Sequence, residues 1–153
     1  MAVYNKLNRK GLQKLCMGDI NWKAAAGSNM KVQLIEDSYT ASTSDFENTA
    51  DFVNDVSTYD PTSSTPQALT EVDPNIASAG KVYLKTSSAQ TSVTFTSVGG
   101  TESIGGIYVF KSSGAASTSP LLGLNDFSTG NITANGSDIQ VTFNANGLIR
   151  FSF

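Results

Sequence analysis

The sequence predicts an α+β fold that is mainly β: an antiparallel β-sandwich with two short helices from the N-terminal third of the chain. Apolar residues recur with a helical period in parts of the first 56 residues, whereas short alternating segments dominate after residue 80. Gly, Ser and Asn clusters separate these later segments, as turns separate the strands of sandwiches and barrels. Only 15% of the residues are charged, against about 25% in typical globular domains, a composition that suits packed β-structure.

A chain of 153 residues is most simply one domain, so residues 1–153 are treated as a single unit. Residues 1–56 are expected to form a helix–strand–helix part. Residues 57–80 are rich in Ser, Thr, Pro and Asp and are expected to form a long loop, with one short strand near residues 68–72. Residues 81–153 are expected to form the antiparallel β part. Loops of this length inside a small domain are usually functional or mobile, so the loop is a candidate contact region.

The first helix is predicted over Val3–Met17, because its apolar residues fall near one helical face and its bases lie largely off that face. Gly11 weakens this helix by up to about 1 kcal/mol, and Gly18 is expected to end it. The single cysteine, Cys16, excludes an intramolecular disulfide. We expect its side chain to be a small buried hydrophobe on this helix.

The next two elements are a strand over Met30–Ile35 and a second helix. Residues 44–47 read S-D-F-E, a capping box, so the second helix is expected to begin there and run to about Val56. Its apolar stripe is expected to pack on the core. Three carboxylates four residues apart are expected to form a solvated acidic face rather than a metal site: Glu47, Asp51 and Asp55.

The β part is predicted from five segments. They are Lys81–Thr86, Ser92–Val98, Ile107–Lys111, Leu121–Phe127 and Asp138–Phe153. The last segment is expected to be a hairpin, in which a turn at Asn144–Gly147 joins Ile139–Phe143 to Ile149–Phe153. Apolar and polar residues alternate on both arms, so the apolar side chains share one face and need a second layer over it.

Several function classes are disfavoured by what the sequence lacks. The chain contains no histidine, so a serine or cysteine nucleophile would lack its usual base. No phosphate-loop or calcium-loop pattern occurs, and we therefore expect no enzymatic activity, no cofactor and no metal ion. No apolar run approaches the roughly 20 residues of a membrane span, and no signal-peptide pattern opens the chain. Synthesis in a cytoplasm is therefore expected.

Charge and aromatic residues give little support to nucleic-acid binding. Residues 1–31 contain six bases and one acid, and residues 32–80 contain nine acids and no base. The basic start could touch nucleic acid or an acidic protein surface, but a solvated helix face is the simplest interpretation. Four strand aromatics are expected to fill the sandwich rather than stack on bases: Tyr83, Phe95, Tyr108 and Phe110. We therefore expect no specific nucleic-acid partner.

Six segments together carry a resemblance. The first half contributes Y-N-K-L-N-R-K-G-L-Q-K-L at residues 4–15, M-K-V-Q-L-I-E-D-S-Y-T at 30–40 and D-F-x5-F-V-N-D-V at 45–56. The second half contributes I-Y-V-F-K-S-S-G at residues 107–114, S-P-L-L-G-L-N-D-F at 119–127 and I-Q-V-T-F-N-A-N-G-L-I-R-F at 139–151. With these segments the chain resembles small virion structural proteins of tailed bacteriophages, including capsid decoration or cement proteins. The likeness covers most of the chain, and its motifs are structural rather than chemical.

The resemblance implies a non-enzymatic protein that binds the outside of the major capsid protein lattice and bridges adjacent subunits. It also implies a homo-oligomer, for which a trimer around a lattice axis is one arrangement. The expected location is the virion, after synthesis in the host cytoplasm. The alternative is a neck, tail or host-recognition component. A second alternative, from a different class, is a carbohydrate-binding β-sandwich.

The expected contact residues lie in three places. They are Lys6, Arg9, Lys10 and Lys14 of the first helix, Trp22, and Tyr59, Pro61 and Pro66 of the long loop. The helix offers positive charge to the acidic surface that the resemblance leads us to expect on a shell. Prolines reduce the entropy lost when a partner orders the loop. The opposing interpretation is that the helix packs on its own sandwich and that the loop is simply mobile.

Overall fold

The computed structural model describes residues 5–20, 29–40, 46, 50–70, 75–78, 81–84, 86, 90–127, 130–144 and 148–152 of the chain. Within these ranges the protein is mainly β: antiparallel strands form a curled half-barrel sheet with smaller sheets beside it, accompanied by two helices. The predicted class, mainly β with antiparallel strands and two short helices, is therefore confirmed at this level.

The elements of the described residues have the following bounds. The helices are α1 (Arg9–Met17) and α2 (Asp37–Thr40), and 3₁₀ turns occupy Val53–Asp55, Ser57–Tyr59 and Ala116–Thr118. The strands are β1 (Asn5–Leu7), β2 (Met30–Glu36), β3 (Gln67–Ala68), β4 (Asn75–Ser78), β5 (Lys81–Leu84), β6 (Ser92–Phe95), β7 (Ser103–Lys111), β8 (Leu121–Asp126), β9 (Ile132–Thr133), β10 (Ile139–Thr142) and β11 (Ile149–Ser152).

The large sheet has the strand order β1–β8–β7–β2–β3, and β9 adds to one end of β7. Its longest pair joins β2 to β7, from Met30 opposite Lys111 to Glu36 opposite Ile104. The register shifts between Ile35 and Glu36, which marks a β-bulge. The smaller sheets pair β10 with β6, and β11 with β5 and then β4. Every pairing among the described strands is antiparallel.

Each face of the large sheet is covered by a hydrophobic core. The first core joins β2, β7 and β8 to apolar residues of the smaller sheets, including Val93, Phe95, Ile139 and Val141. The second core covers the opposite face and is closed by side chains between residues 39 and 59. Because the central strands are buried on both sides, they read as nearly continuous apolar runs rather than clean alternation.

The second core explains why the segment after α2 stays on the sheet. Phe46 is fully buried there, with Ala50, Val53 and Val56 beside it. The Tyr39 ring packs edge-on against Phe46, with ring centroids 6.4 Å apart. Burying one large apolar side chain stabilises a fold by about 1.5–3 kcal/mol, so several such residues hold this segment firmly in place.

The predicted terminal hairpin is wrong, although its strands exist. Strand β10 pairs with β6, and β11 pairs with β5, so the two arms lie in different sheets. The alternation within β10 is confirmed, because Ile139 and Val141 are buried while Gln140 and Thr142 are exposed. Alternation fixes which face a side chain occupies and does not choose the neighbouring strand. Within the predicted turn, residues 145–147 lie outside the described residues.

The predicted second helix is wrong over its C-terminal half. Phe46 is helical, but residues 41–45 and 47–49 lie outside the described residues, and from residue 50 the chain is not α-helical. Phe52 forms a β-bridge with Pro120, and the Asp55 carboxylate accepts hydrogen bonds from the backbone N–H groups of Asp51 and Phe52. Such side-chain bonds give the backbone an alternative to the helix. Asp55 is exposed as predicted, but Asp51 is half-buried and pairs with Lys10 and Lys14, so the two acids do not form one helical face over residues 50–56.

The first helix is shorter than predicted. It begins at Arg9, and residues 5–7 form β1, which pairs with β8. Gly18 ends it as predicted, in the left-handed conformation at φ 83°. The prediction for Cys16 is wrong, because this side chain is exposed. Other residues of α1 contact the sheet. The spacing of the apolar residues alone therefore assigned Cys16 to the wrong face of the helix.

The predicted long loop contains more structure than expected. Strands β3 and β4 lie within it, and the first of them overlaps the predicted short strand only at Ala68. A backbone hydrogen bond joins the Leu69 N–H to the Met30 carbonyl at the edge of β2. The described part of residues 57–80 is therefore largely built into the domain.

Candidate interaction surface

Helix α1 lies against β8 at backbone distance, and Gly11 makes this possible. Gly11 is the one buried residue of the helix, and a Cβ atom there would overlap the carbonyl oxygen of Leu121. The backbone N–H of Asn8 also donates to the carbonyl of Leu122 at 2.9 Å. Glycine costs helix stability in isolation, but here it permits the close packing of helix on strand. Elsewhere on α1, Leu15 packs against the first core, whereas Arg9, Lys10 and Gln13 are exposed.

Asn8 joins three parts of the fold at one buried point. Its side chain is fully buried, and its Oδ1 accepts the backbone N–H of Gly11 at 2.7 Å, which makes it the N-cap of α1. Its Nδ2 donates to the carbonyls of Phe46 and Ala50, both at 2.7 Å. One amide thus connects the start of α1 with the segment that closes the second core.

Two of the predicted contact lysines are engaged within the chain. The Lys14 Nζ lies 2.9 Å from an Asp51 carboxylate oxygen and 4.0 Å from the centroid of the Phe52 ring. The Lys10 Nζ lies 3.5 Å from the other Asp51 oxygen. The Lys14 side chain is 25% exposed and that of Lys10 is 47% exposed. Lys14 is therefore mainly part of the fold, whereas Lys10 still presents its charge to solvent.

The other two predicted basic contact residues lie on different elements of the structure. Arg9 is exposed at the first turn of α1. Lys6 lies on β1, opposite Leu124 of β8, so it is not part of the helix as predicted. Trp22 lies outside the described residues. The basic surface on α1 consequently reduces to Arg9 and Lys10, which we call the basic pair.

The predicted loop residues have three different environments. The Tyr59 ring is half-buried and packs against Tyr39 with ring centroids 4.8 Å apart. Pro61 is buried, so its side chain is not presented to a partner in this conformation. Pro66 is exposed, as is Thr65 beside it. Of these loop positions, Pro66 is the one whose exposure suits a contact.

Hydrogen bonds fasten the part of the loop that precedes Pro66 to the sheet. The Thr62 hydroxyl lies 2.6 Å from the Glu102 carboxylate, and the Gly99 N–H donates to the Thr62 carbonyl. The Ser64 hydroxyl donates to the buried Gln33 amide, which in turn donates to the Ser64 carbonyl. These bonds run from the loop to β2 and to the turn before β7. Deleting part of the loop would therefore disturb the fold itself.

Asp60 makes the least ordinary contact of the loop. Its two carboxylate oxygens lie 3.0 and 3.2 Å from the hydroxyl of Tyr108, whose side chain is fully buried in β7. The pKa of Asp60 is raised to about 6, chiefly by burial and also by the nearby Glu36 carboxylate, while hydrogen bonds from Tyr108 and Gln33 lower it in part. Burial and the negative charge of Asp60 raise the pKa of Tyr108 well above its usual range.

Sequence reasoning missed the residues that organise this surface. Asn immediately before a helix is a recognised capping residue, so Asn8 was detectable once the helix start was placed correctly. Asp60 carries no local signal, because its partner Tyr108 is 48 residues away in the chain. Asp51 was recognised as one of three acids, yet its pairing with Lys10 and Lys14 depends on the packing of two distant segments.

Further observations bear on other classes of site. Within the described ranges, no group of three or more Cys, Asp or Glu side chains is placed to hold a metal ion. No helix in the described part of the chain is long and apolar enough to cross a membrane. The predicted burial of the strand aromatics is confirmed for Phe95, Tyr108 and Phe110, and the Tyr83 side chain lies outside the description. No protein-family model and no curated protein matches this chain.

Proposed function

We propose that this chain is a non-enzymatic structural protein of a tailed-bacteriophage virion, and specifically a decoration protein that cements the head. The observation that carries the proposal is the resemblance of six of its segments to small virion structural proteins. Three of those segments correspond to β2, β7 and β8, which are the central strands of the large sheet. A likeness in the central strands supports a shared fold, while the surface is free to suit each partner.

We further propose that the two β layers pack as a sandwich. The first core supports this arrangement, because it joins the large sheet to residues of β6, β10 and the start of β11. A rigid two-layer body suits a protein that must hold neighbouring subunits at a fixed distance. Its low charge also suits lasting contact with a neighbour, since fewer charged groups must lose water at the interface.

Decoration requires no reactive site, because stabilisation follows from binding alone. A protein that binds the assembled lattice more tightly than the free subunits shifts the equilibrium towards the assembled state. Contacts to several neighbours multiply this effect through local concentration, so each contact can be weak. Self-association, with a trimer as one arrangement, would let one assembly touch several capsid subunits.

The proposed contact region combines the basic pair, Arg9 and Lys10, with the exposed loop position Pro66. The basic pair supports an electrostatic approach to an acidic shell, because both side chains reach solvent. Lys14 contributes indirectly by holding α1 to the Asp51 segment. The lattice spacing would determine whether neighbouring bound copies of this chain touch each other.

The proposal is tested by adding the purified protein to empty heads that lack it and sedimenting the mixture. We expect saturable co-sedimentation at a fixed ratio to the major capsid protein, and heads that resist heating better when decorated. Binding to isolated necks or tails with none to heads would instead place the protein at the alternative position. Binding to immobilised glycans with none to heads would assign it to the carbohydrate-binding class.

A further inference from the structure

Asp60 occupies an unusual position for an acid, between a loop and the sheet that the loop covers. It follows directly after the 3₁₀ turn Ser57–Tyr59 and is half-buried. Both its carboxylate oxygens face the hydroxyl of Tyr108, which has no exposed surface. No Lys or Arg of the described residues forms an ion pair with it, because both ion pairs in those ranges belong to Asp51. An ionised carboxylate in such surroundings is costly.

The groups around Asp60 add negative rather than positive charge. From β2, the carboxylate of Glu36 acts on Asp60 as a like charge, and the Gln33 side chain acts as a neutral hydrogen-bond partner. From β7, Tyr108 is neutral in the physiological range. Asp55 in the preceding 3₁₀ turn and Asp37 in α2 are further acids of the adjoining elements. Lys31 is the base on the Gln33 face of β2, two residues away.

The same loop is held by hydrogen bonds whose geometry depends on where the loop lies on the sheet. Ser64 and Gln33 exchange hydrogen bonds, Thr62 binds Glu102, and the Gly99 N–H donates to the Thr62 carbonyl. A shift of Asp60 away from Tyr108 would strain each of these bonds. The exposed residue Pro66 lies in the same segment, so its position depends on how the loop is attached to the sheet.

We propose that Asp60 is a proton-operated clasp: as a neutral acid it lets residues 57–70 lie against the sheet beside Tyr108. Its ionisation loosens this segment, because a half-buried carboxylate without a cationic partner loses hydration at a cost that the Tyr108 hydrogen bond offsets only in part. The direction follows from linkage. A carboxyl whose pKa in the folded protein, about 6, exceeds its ordinary value of 3.8 binds protons more tightly when folded. Its contribution to fastening is complete below pH 3.8 and is lost as the pH rises through about 6. Residues 57–70 are therefore held more firmly to the sheet at acidic pH than at alkaline pH.

Amide hydrogen exchange measured from pH 5 to pH 7.5, corrected for intrinsic rates, tests the clasp directly. The reporters are the N–H groups of Gly99 and Ser64, which donate to Thr62 and Pro61. Each unit of pKa shift corresponds to a factor of about ten in the equilibrium, and partial exposure reduces the effect. We expect protection of these amides to fall about tenfold over this range in the natural protein, with little change at amides in the middle of β7.

This experiment compares the natural protein with one test variant and one control variant. Asp60→Asn keeps the size of the side chain and an acceptor for Tyr108 but cannot ionise, and we expect its protection to be nearly independent of pH. Asp19→Asn removes one exposed acid with the same change in net charge, and we expect it to behave like the natural protein. Equal pH slopes in the natural protein and Asp60→Asn would overturn the clasp.

A carboxyl NMR titration of the natural protein covers the case in which Asp60→Asn does not fold. The clasp requires the Asp60 signal to titrate with a midpoint near 6, together with the loss of amide protection. A midpoint near 3.8 would overturn it, and so would a midpoint near 6 with protection that does not change with pH. The result is independent of head binding, so the clasp and the proposed function stand or fall separately.

Discussion

Gly11 of α1 lies against the carbonyl group of Leu121 in β8, and no side chain fits between them. This contact sets how α1 sits on the large sheet and therefore where the basic pair points. Alanine favours an isolated helix over glycine by about 1 kcal/mol, but the added Cβ atom would meet a backbone atom that cannot rotate away. Helix propensity and tertiary packing thus make opposite predictions for the same substitution.

The first prediction concerns this contact. We expect Gly11→Ala to lower the free energy of unfolding by about 1–3 kcal/mol, because overpacking outweighs the gain in helix propensity. Urea denaturation followed by circular dichroism measures the change. The matched control is Gln13→Ala at an exposed position of the same helix, for which we expect a change within about 0.5 kcal/mol. A stabilised Gly11→Ala protein would show that α1 does not pack on β8 as described.

The second prediction concerns Asn8. Asn8→Ala removes the helix cap and leaves the buried carbonyls of Phe46 and Ala50 without their donor. We expect the free energy of unfolding to fall by about 2–4 kcal/mol. Asn8→Ser retains a capping oxygen but loses the side-chain amide N–H groups that reach the Phe46 and Ala50 carbonyls, so it should be about 1 kcal/mol less harmful than Asn8→Ala. Equal losses for the two variants would mean that the cap contributes nothing, and a loss under about 0.5 kcal/mol for Asn8→Ala would contradict its joining role.

The third prediction is a dependence of global stability on pH. The raised pKa of Asp60, about 6, means that ionising this carboxyl costs more free energy in the folded protein than in the unfolded chain, so the folded protein is less stable above that pH. We expect Asp60→Asn to raise the free energy of unfolding by about 1 kcal/mol at pH 8, after allowance for partial exposure. This gain should shrink towards zero as the pH falls to 4. Denaturation curves at both pH values measure it, and a gain that grows on acidification has the wrong sign for a buried neutral acid.

The fourth prediction concerns the basic pair. Neutralising it with Arg9→Gln and Lys10→Gln should weaken binding to empty heads, with the larger loss at low salt, where charges are least screened. The control adds the same net charge change on exposed strand positions, through Gln140→Glu and Thr133→Glu. We expect the control to bind like the natural protein. Equal weakening by both variants would assign the effect to net charge, and no weakening by the first would place the contact elsewhere.

The fold class could be predicted because it depends on local patterns. Alternation located β10, and turn residues separated the strands, so the mainly β class was evident. Strand partners were not predictable, because Ile139 pairs opposite Phe95, a residue far from it in the sequence and with strands β7, β8 and β9 between them. The end of the second helix was also missed, since Val53 and Leu121 take their backbone partners from distant segments. Tertiary hydrogen bonds overrode a reasonable helical pattern there.

The candidate surface could be predicted only in part, for a similar reason. Exposure of Arg9 and Pro66 fits the contact role expected from sequence, whereas Pro61 is buried and Lys14 is committed to Asp51. A sequence shows that a residue is basic but not that an acid from another segment will meet it. The resemblance identified segments that form the sheet, and these segments say little about the surface that would bind a partner.

The number of copies in each purified virion tests the decoration proposal most directly. Quantitative mass spectrometry of virions, calibrated with labelled peptides of this chain and of the major capsid protein, gives that number. A cement protein that covers the head lattice must be present in hundreds of copies, at a fixed simple ratio to the major capsid protein. A handful of copies per virion, or none, would contradict the proposal.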